Sequence, residues 1–263
     1  MTTVIAIANQ KGGVGKTTTA VSLGHGLALK DKEVLLIDLD PQGQSAVSLG
    51  MKAEPGAYYL LTPPPGGVIS VKQWIRKGRE HLWLIPGDIS TNASQAQLNA
   101  EGKPLSHIAS QVKQFIGNGM GLDYIVFDTA PSVGGIQERA IWAADLVLVP
   151  AATEYLAADG ARKIFEMMIA MQKEKEWKGK ILGILPTFYD DLTRESQTQL
   201  KEFQNIFGQL VMSPIHRATI LRECPAEGRT IFEALASSDT AQRAVQEYQA
   251  LVDYVLKIGR AHV

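Results

Sequence analysis

The densest chemistry in the chain lies in eight consecutive residues, Lys11-Gly12-Gly13-Val14-Gly15-Lys16-Thr17-Thr18. Glycines let a backbone curl until its N–H groups point inward, which is how a loop surrounds a phosphate without using side chains. A helix opening at Lys16 would add the positive end of its dipole to the same place. At that position an ammonium bridges β- and γ-phosphate oxygens, so Lys16 is the expected phosphate clamp. Thr17 offers a hydroxyl to Mg²⁺, and Thr18 is placed for an α-phosphate. A glycine-rich turn that merely precedes a helix would look alike in isolation. An apolar run just before it and a helical pattern just after it favour the phosphate loop.

Carboxylates follow at two other places. Asp38 and Asp40 stand two apart at the end of an apolar run, ahead of Pro41-Gln42-Gly43. Alternate residues of an extended chain share a direction, so both are expected to look toward the phosphates. A capped Asp-Pro turn is the plainer reading of the same residues. Ile125-Val126-Phe127-Asp128 is three apolar residues and an acid. That pattern is a buried strand holding a carboxylate at its tip for a Mg²⁺ shell. On this reading Thr17 and Asp128 belong to one Mg²⁺ shell beside a bound nucleotide's phosphates.

The elements that must position these groups are legible as alternating short apolar runs and helical patterns. Residues 4–8, 34–38, 82–85, 124–127, 146–149 and 181–185 read as strands that are apolar throughout. Residues 16–30, 104–116, 135–143, 157–175, 194–207 and 240–257 read as helices. Strands without a polar face, interleaved with helices, predict an α/β fold: a single-domain, mainly parallel twisted sheet with helices on both faces. Connections should be right-handed crossovers. Residues 50–78, with Thr62-Pro63-Pro64-Pro65-Gly66-Gly67, read as a surface excursion, not a linker. One domain over 1–258 is expected, with 259–263 as a tail that has no periodicity and reads as a frayed end.

Bulk properties narrow the classes. The chain has 263 residues, 45% hydrophobic, which is enough for one sizeable core. Lysine and arginine total 26 against 27 acids, so any nucleic-acid contact must come from a local patch. The single cysteine, Cys224, excludes an intramolecular disulfide, in keeping with a reducing cytoplasm. No secretory leader pattern and no apolar run near the ~20 residues of a membrane span is present. The histidines at 25, 81, 107 and 216 show no metal-ligand spacing.

One departure from the general phosphate-loop motif sharpens the reading. Position 10, where that motif has glycine, is Gln10, and a second lysine, Lys11, comes next. Here the sequence resembles the deviant Walker A motif of the ParA/MinD family, and the resemblance runs from Val4 to Leu256. It implies an ATPase that forms a sandwich homodimer on ATP, in which Lys11 reaches the partner's nucleotide. A cation supplied in trans completes the charge clamp on the transferring phosphoryl group. The segment after residue 38 is similar to the family's switch I, which implies that Asp40 orients the attacking water while Asp38 supports the Mg²⁺ shell or the loop. Asp128-Thr129-Ala130-Pro131-Ser132 resembles switch II, with Thr-Ala where many members have another pair. Glu154 and Gly160, after Pro150, match a family arrangement that places Glu154 near the dimer interface. In relatives the regions of Pro186, Thr187 and Pro214 contact adenine.

The resemblance is closest to short ParA-type partitioning ATPases, since the phosphate loop begins at Lys11 with no helix-turn-helix domain ahead of it. The last helix mixes Glu247 and Asp253 with Arg243 and Lys257, unlike the basic membrane-lying helix of MinD, so no membrane partner is expected. The resemblance implies non-specific DNA binding by Arg194, Arg217 and Arg222, gated by the ATP dimer, and a ParB-like or cargo-adaptor protein that stimulates slow hydrolysis. A cytoplasmic, nucleoid-associated protein would follow. Residues 180–230 hold six basic and six acidic residues, so ordinary solvated arginines are the rival reading. A metabolic P-loop synthetase or ligase is the alternative function, because fold alone does not exclude it. A redox ATPase would need cluster-holding cysteines that one Cys224 does not supply.

Overall fold

The computed structural model describes residues 2–63, 73–117, 120–132, 135–154, 157–174, 176–234 and 238–261. Within them the strands are β1 (Thr3–Ile7), β2 (Val34–Asp38), β3 (Arg76–Arg79), β4 (Leu82–Ile85), β5 (Tyr124–Asp128), β6 (Leu146–Ala152) and β7 (Lys180–Thr187). The helices are α1 (Lys16–Ala28), α2 (Gln44–Ser48), α3 (Gly56–Leu61), α4 (Thr91–Ala100), α5 (His107–Gly117), α6 (Gly135–Ala143), α7 (Ala157–Glu174), α8 (Arg194–Phe207), α9 (Ile220–Ala226) and α10 (Asp239–Ala261).

These strands form one sheet in the order β3-β4-β2-β5-β1-β6-β7. Every pairing is parallel except β3 with β4. The sequence gives the reason. β2 and β5 are buried at every position, as an apolar run covered on both faces must be. Their residues then alternate between two cores. Leu35, Ile37, Ile125 and Phe127 pack with α5 through α8, whereas Leu36, Val126, Ile5 and Ile7 pack with α1 and α10. On that second side Leu23, Leu27, Tyr248 and Val252 interlock α1 with α10. The predicted α/β sheet with helices on both faces is the fold observed.

The structure departs from the sequence reading mainly in short polar elements. Part of the expected surface excursion at 50–78 is built into the core: Ala57, Leu60 and Leu61 of α3 are buried. β3 has the sequence Arg-Lys-Gly-Arg, which carries no apolar pattern but suits a charged edge strand. Most of the Pro-Gly run lies outside the described residues. Helices α2, α4 and α9 had no apolar stripe long enough to read. Three strands outrun their predicted ends, since β5 continues to Asp128, β6 to Ala152 and β7 to Thr187. α10 continues through Ala261, so the helix takes in residues 259–261 of the expected tail. Gly259 sits so close to Tyr124 that a Cβ there would lie 2.7 Å from its hydroxyl.

Candidate functional site

The parallel pairings bring the carboxyl ends of β1, β2 and β5 side by side, and the candidate groups stand at those ends. After β1 the chain turns through Gly13 and Gly15, whose φ values of 71° and 84° are left-handed. A side chain would strain both positions, so glycine is what the loop geometry requires. Gly15 is the N-cap of α1, and the first turn of α1 carries no acid. The end of the helix dipole is thus left for an anion.

Lys16 is only 6% exposed, and its Nζ donates to the Lys11 carbonyl at 3.0 Å. Burial holds its ammonium below the usual lysine range, while Asp128 and Asp40 pull the other way. Lys16, Thr17 and Thr18 line a cavity of about 620 Å³ together with Gly13, Gly15, Asp40, Pro41, Gln42, Pro131 and Ser132. One space therefore has cationic and hydroxyl donors on one wall and a carboxylate on another.

The three acids divide their work. Asp38 and Asp128 are register partners across β2 and β5, and both are fully buried. Asp38 accepts the Asp40 amide and the Ser45 amide, each at 3.0 Å. Burial, then the charge of Asp128, raises its carboxyl well above the ordinary range. Both of its oxygens are engaged by the loop backbone, and neither it nor Asp128 is among the residues that line the cavity. Of the two roles the resemblance implies for Asp38, support of the Mg²⁺ shell or of the loop, these bonds fit the loop, because both amides belong to the turn that carries Asp40. Asp128 accepts the Ser45 hydroxyl at 2.9 Å, the nearby Thr17 hydroxyl favours its charged form, and its Oδ1 has no partner. Burial pushes this carboxyl up to about 6. A buried carboxylate with an unused oxygen beside a hydroxyl is what a hard divalent cation would complete. Asp40 is half-buried, accepts the Gln42 amide at 2.9 Å and faces the cavity. Ser45 was missed in the sequence because a serine after a turn carries no signal of its own.

A second cavity of about 250 Å³ adjoins the first through Gly15, Thr18 and Phe188. Its other walls include Thr187, Ile215, Leu221 and Tyr248. Thr187 also donates to the Val14 carbonyl at 3.0 Å, which ties β7 to the phosphate loop. Tyr248 is buried, which pushes its phenol up to about 12, and its hydroxyl lies 3.5 Å from Thr19 Oγ1. A flat, largely apolar slot of this size beside a phosphate loop suits a nucleobase. Of the residues expected near adenine, Thr187 lines this slot. Pro186 and Pro214 do not, although the Pro186 carbonyl accepts the Ile215 amide at 2.8 Å and so sets the wall. Phe188 went unread, since an aromatic residue is usually core and its φ of 55° leaves no mark in the sequence.

The remaining expected residues are distributed differently from the sequence reading. Glu154 lines the second cavity, 3.2 Å from the Arg217 guanidinium. Arg217 also stacks above Phe188, with its guanidinium carbon 6.0 Å from the ring centre, and Arg222 lines the same cavity. Arg194 opens α8, away from both cavities. The structure therefore brings Arg217 and Arg222 to a nucleotide-sized slot, which Arg194 does not line. None of the described helices is long and apolar enough to cross a membrane.

Comparisons with known proteins agree with this geometry. A family model described as AAA domain matches residues 2–181. The chain is 34% identical over 254 residues to the chromosome-partitioning ATPase Soj of Thermus thermophilus, covering 94% of this chain and 96% of that one. Among solved structures it is similar to the ATP complex of McdA from Cyanothece, with a TM-score of 0.84 and 22% identity over 97% of this chain and 96% of that one. That likeness speaks for the fold. It is also similar to a cobyrinic acid a,c-diamide synthase from Mycobacterium smegmatis with bound ATP analogue and magnesium, with a TM-score of 0.81 and 27% identity over 100% and 98% of the two chains.

Proposed function

Since the chain belongs to the Soj/ParA family of partitioning ATPases, we propose that it hydrolyses ATP to position or segregate DNA or a protein cargo. The observation that carries the reading is the first cavity, which Lys16, Thr17 and Asp40 line together, with Thr17 also beside the Asp128 carboxyl whose Oδ1 is unpartnered. Backbone N–H groups of the glycine loop and the Lys16 ammonium bind the phosphates. Asp40, held by Asp38 through its own amide, orients the attacking water and accepts its proton. Thr17 and Asp128 would hold Mg²⁺, which supplies charge neutralisation on the β- and γ-oxygens. The slot with Thr187 and Phe188 takes the adenine.

In the finer reading, two ATP-loaded copies close face to face, and Lys11 of each completes the other's site. The dimer binds duplex DNA without sequence preference through Arg194, Arg217 and Arg222, and a ParB-like or adaptor protein triggers hydrolysis over the nucleoid. The position of Arg217 and Arg222 on the nucleotide slot supports gating, because a bound base would change their surroundings. Sedimentation with Mg²⁺ and either ATP or ADP, with and without random-sequence duplex, tests this reading. ATP-dependent dimers that retain DNA support it, and dimers that bind no DNA even at low salt sink the nucleoid part.

A second reading, a metabolic synthetase, is favoured by the likeness to the cobyrinic acid synthase over the whole chain. Phosphate release from ATP and water alone separates the two, because a synthetase needs its carboxylate and amine substrates to turn over.

A further inference from the structure

Two buried carboxamides stand outside every role assigned so far. Asn9, just past β1, and Gln137, in the first turn of α6, are each 1% exposed. Burying an amide costs free energy unless its bonds are made, so where those bonds run is informative.

Asn9 reaches two ways. Its Nδ2 donates to the Pro150 carbonyl of β6 at 2.7 Å, and its Oδ1 accepts the Lys11 amide at 2.9 Å. The backbone carrying Lys11 is thus hung from the neighbouring strand. Gln137 reaches the loop after β5. Its Nε2 donates to the Ala130 carbonyl at 2.7 Å and lies 3.1 Å from Thr129 Oγ1 and 3.3 Å from the Asn9 carbonyl. Two amide hydrogens face three acceptors, so at least one hydrogen is shared, and the two longer contacts are the ones that compete for it. Gln137 Oε1 has no partner at all. Gly160 of α7 closes the arrangement from the other side: a Cβ there would lie 3.2 Å from Asn9 Oδ1 and 3.5 Å from Lys11 Cβ. One path of hydrogen bonds therefore runs from Ala130, two residues past Asp128, through Gln137 and Asn9 to Lys11.

We propose that Asn9 and Gln137 are positioning residues that couple the seat of Lys11 to the loop that follows Asp128. The inference rests on the reading of Lys11 as the lysine that serves a second subunit. A loop that shifts when the γ-phosphate is present or gone moves Ala130. The shared amide of Gln137 re-pairs at little cost, and Asn9 passes the change to the Lys11 backbone. Thr17 is not on this path, and Lys16 meets it only where its Nζ donates to the Lys11 carbonyl at 3.0 Å, so the phosphate-binding groups are not themselves built on the two carboxamides.

Gln137→Met keeps the length of the side chain and removes the amide. Residue-resolved amide exchange, with ADP and with a non-hydrolysable ATP analogue, reads the Lys11 amide directly. In the wild type that exchange differs between the two nucleotides. In Gln137→Met it is faster by about tenfold in both, as loss of one buried hydrogen bond implies, and the difference between nucleotides disappears. The Kd for Mg·ATP stays within about threefold, since no phosphate contact changes, while ATP-driven dimerisation weakens by about tenfold. A Lys11 amide as protected as in the wild type, or one that still distinguishes the nucleotides, overturns the coupling. Should Gln137→Met not fold, Gln137→Ala takes its place in the same measurements. Lys11→Ala run in parallel separates the two ideas. If it dimerises normally with ATP, the role in trans fails, whereas the exchange result still judges the coupling.

Discussion

The two ends of the central strands treat charge in opposite ways. At the carboxyl ends, Asp38 and Asp128 are fully buried side by side, their carboxyls are raised, and one oxygen of Asp128 is unused. At the amino ends, carboxylates are paired as they would be in any stable protein. Asp145 accepts the Val4 amide at 2.8 Å, Asp123 accepts the Glu33 amide at 2.9 Å, and Glu33 accepts from His81 at 2.7 Å and Trp83 at 3.1 Å. The same residue types at opposite edges of one sheet thus hold the fold together at one edge and work against it at the other. Unsatisfied buried charge persists where a ligand completes it.

The comparison breaks most visibly at Lys16. Lys16→Ala removes the one buried cation facing the phosphates, and ATP affinity should fall by about 100-fold or more, as loss of a preorganised charged contact implies. Calorimetric titration checks this, and near-normal binding would move the phosphate site elsewhere. Asp40→Ala should leave affinity within about threefold but lower turnover by about 100-fold, the usual range for a lost proton acceptor. Single-turnover hydrolysis is the measurement, and wild-type rates would remove Asp40 from the mechanism.

The next pair of substitutions sets the two ends directly against each other. Asp128→Asn keeps the shape and removes a charge the fold disfavours. Without ligand its melting temperature should rise by several degrees, while the stabilisation by Mg·ATP shrinks. Asp145→Ala leaves the Val4 amide unpartnered, costs about 1–2 kcal/mol, and does not touch nucleotide affinity. Thermal melts with and without Mg·ATP give all four values. If Asp128→Asn melts lower than the wild type, the carboxyl end is not held together at the expense of stability.

How much of this was legible in the sequence depends on which signal each group leaves. The phosphate loop, Asp40 and Asp128 were readable because glycine spacing and apolar runs ending in acid are local patterns. The strands of the sheet were readable for the same reason, since burial on both faces demands unbroken apolar runs. β3 and α4 were not, because an edge strand of Arg-Lys-Gly-Arg and a helix with Leu98 as its lone buried aliphatic residue have nothing periodic to show. For Asp38 the sequence leaves two roles, the Mg²⁺ shell or the loop, for a different reason. Its direction followed from strand alternation, but the amides of Asp40 and Ser45 that consume it come from a turn whose closure no pattern predicts. The linkage of Asn9 to Gln137 spans 128 residues, so it exists only once the sheet is assembled.

The smallest effect lies at the amino end and concerns pH. The hydrogen bond to Glu33 raises the His81 imidazole above its ordinary value, with Glu80 3.9 Å from the other ring nitrogen. The same bond lowers the Glu33 carboxyl, with help from Trp83. A raised histidine contributes stability that is complete below its unfolded value, about 6.5, and is lost as pH rises through its folded value. A lowered glutamate contributes above its unfolded value, about 4.5, and loses that as pH falls through its folded value. The pair therefore stabilises most between about pH 4.5 and 6.5. His81 has a φ of 55°, so His81→Asn is the fitting probe, because asparagine tolerates that conformation while removing the charge. The variant should melt lower than the wild type at pH 6 by no more than about 2 °C, the scale of an exposed pair, and the gap should close at pH 8. A gap that instead widens toward pH 8 would mean that the pair does not act through the imidazolium. The amino end of the sheet would then owe its stability to packing of Trp83 and not to satisfied charge.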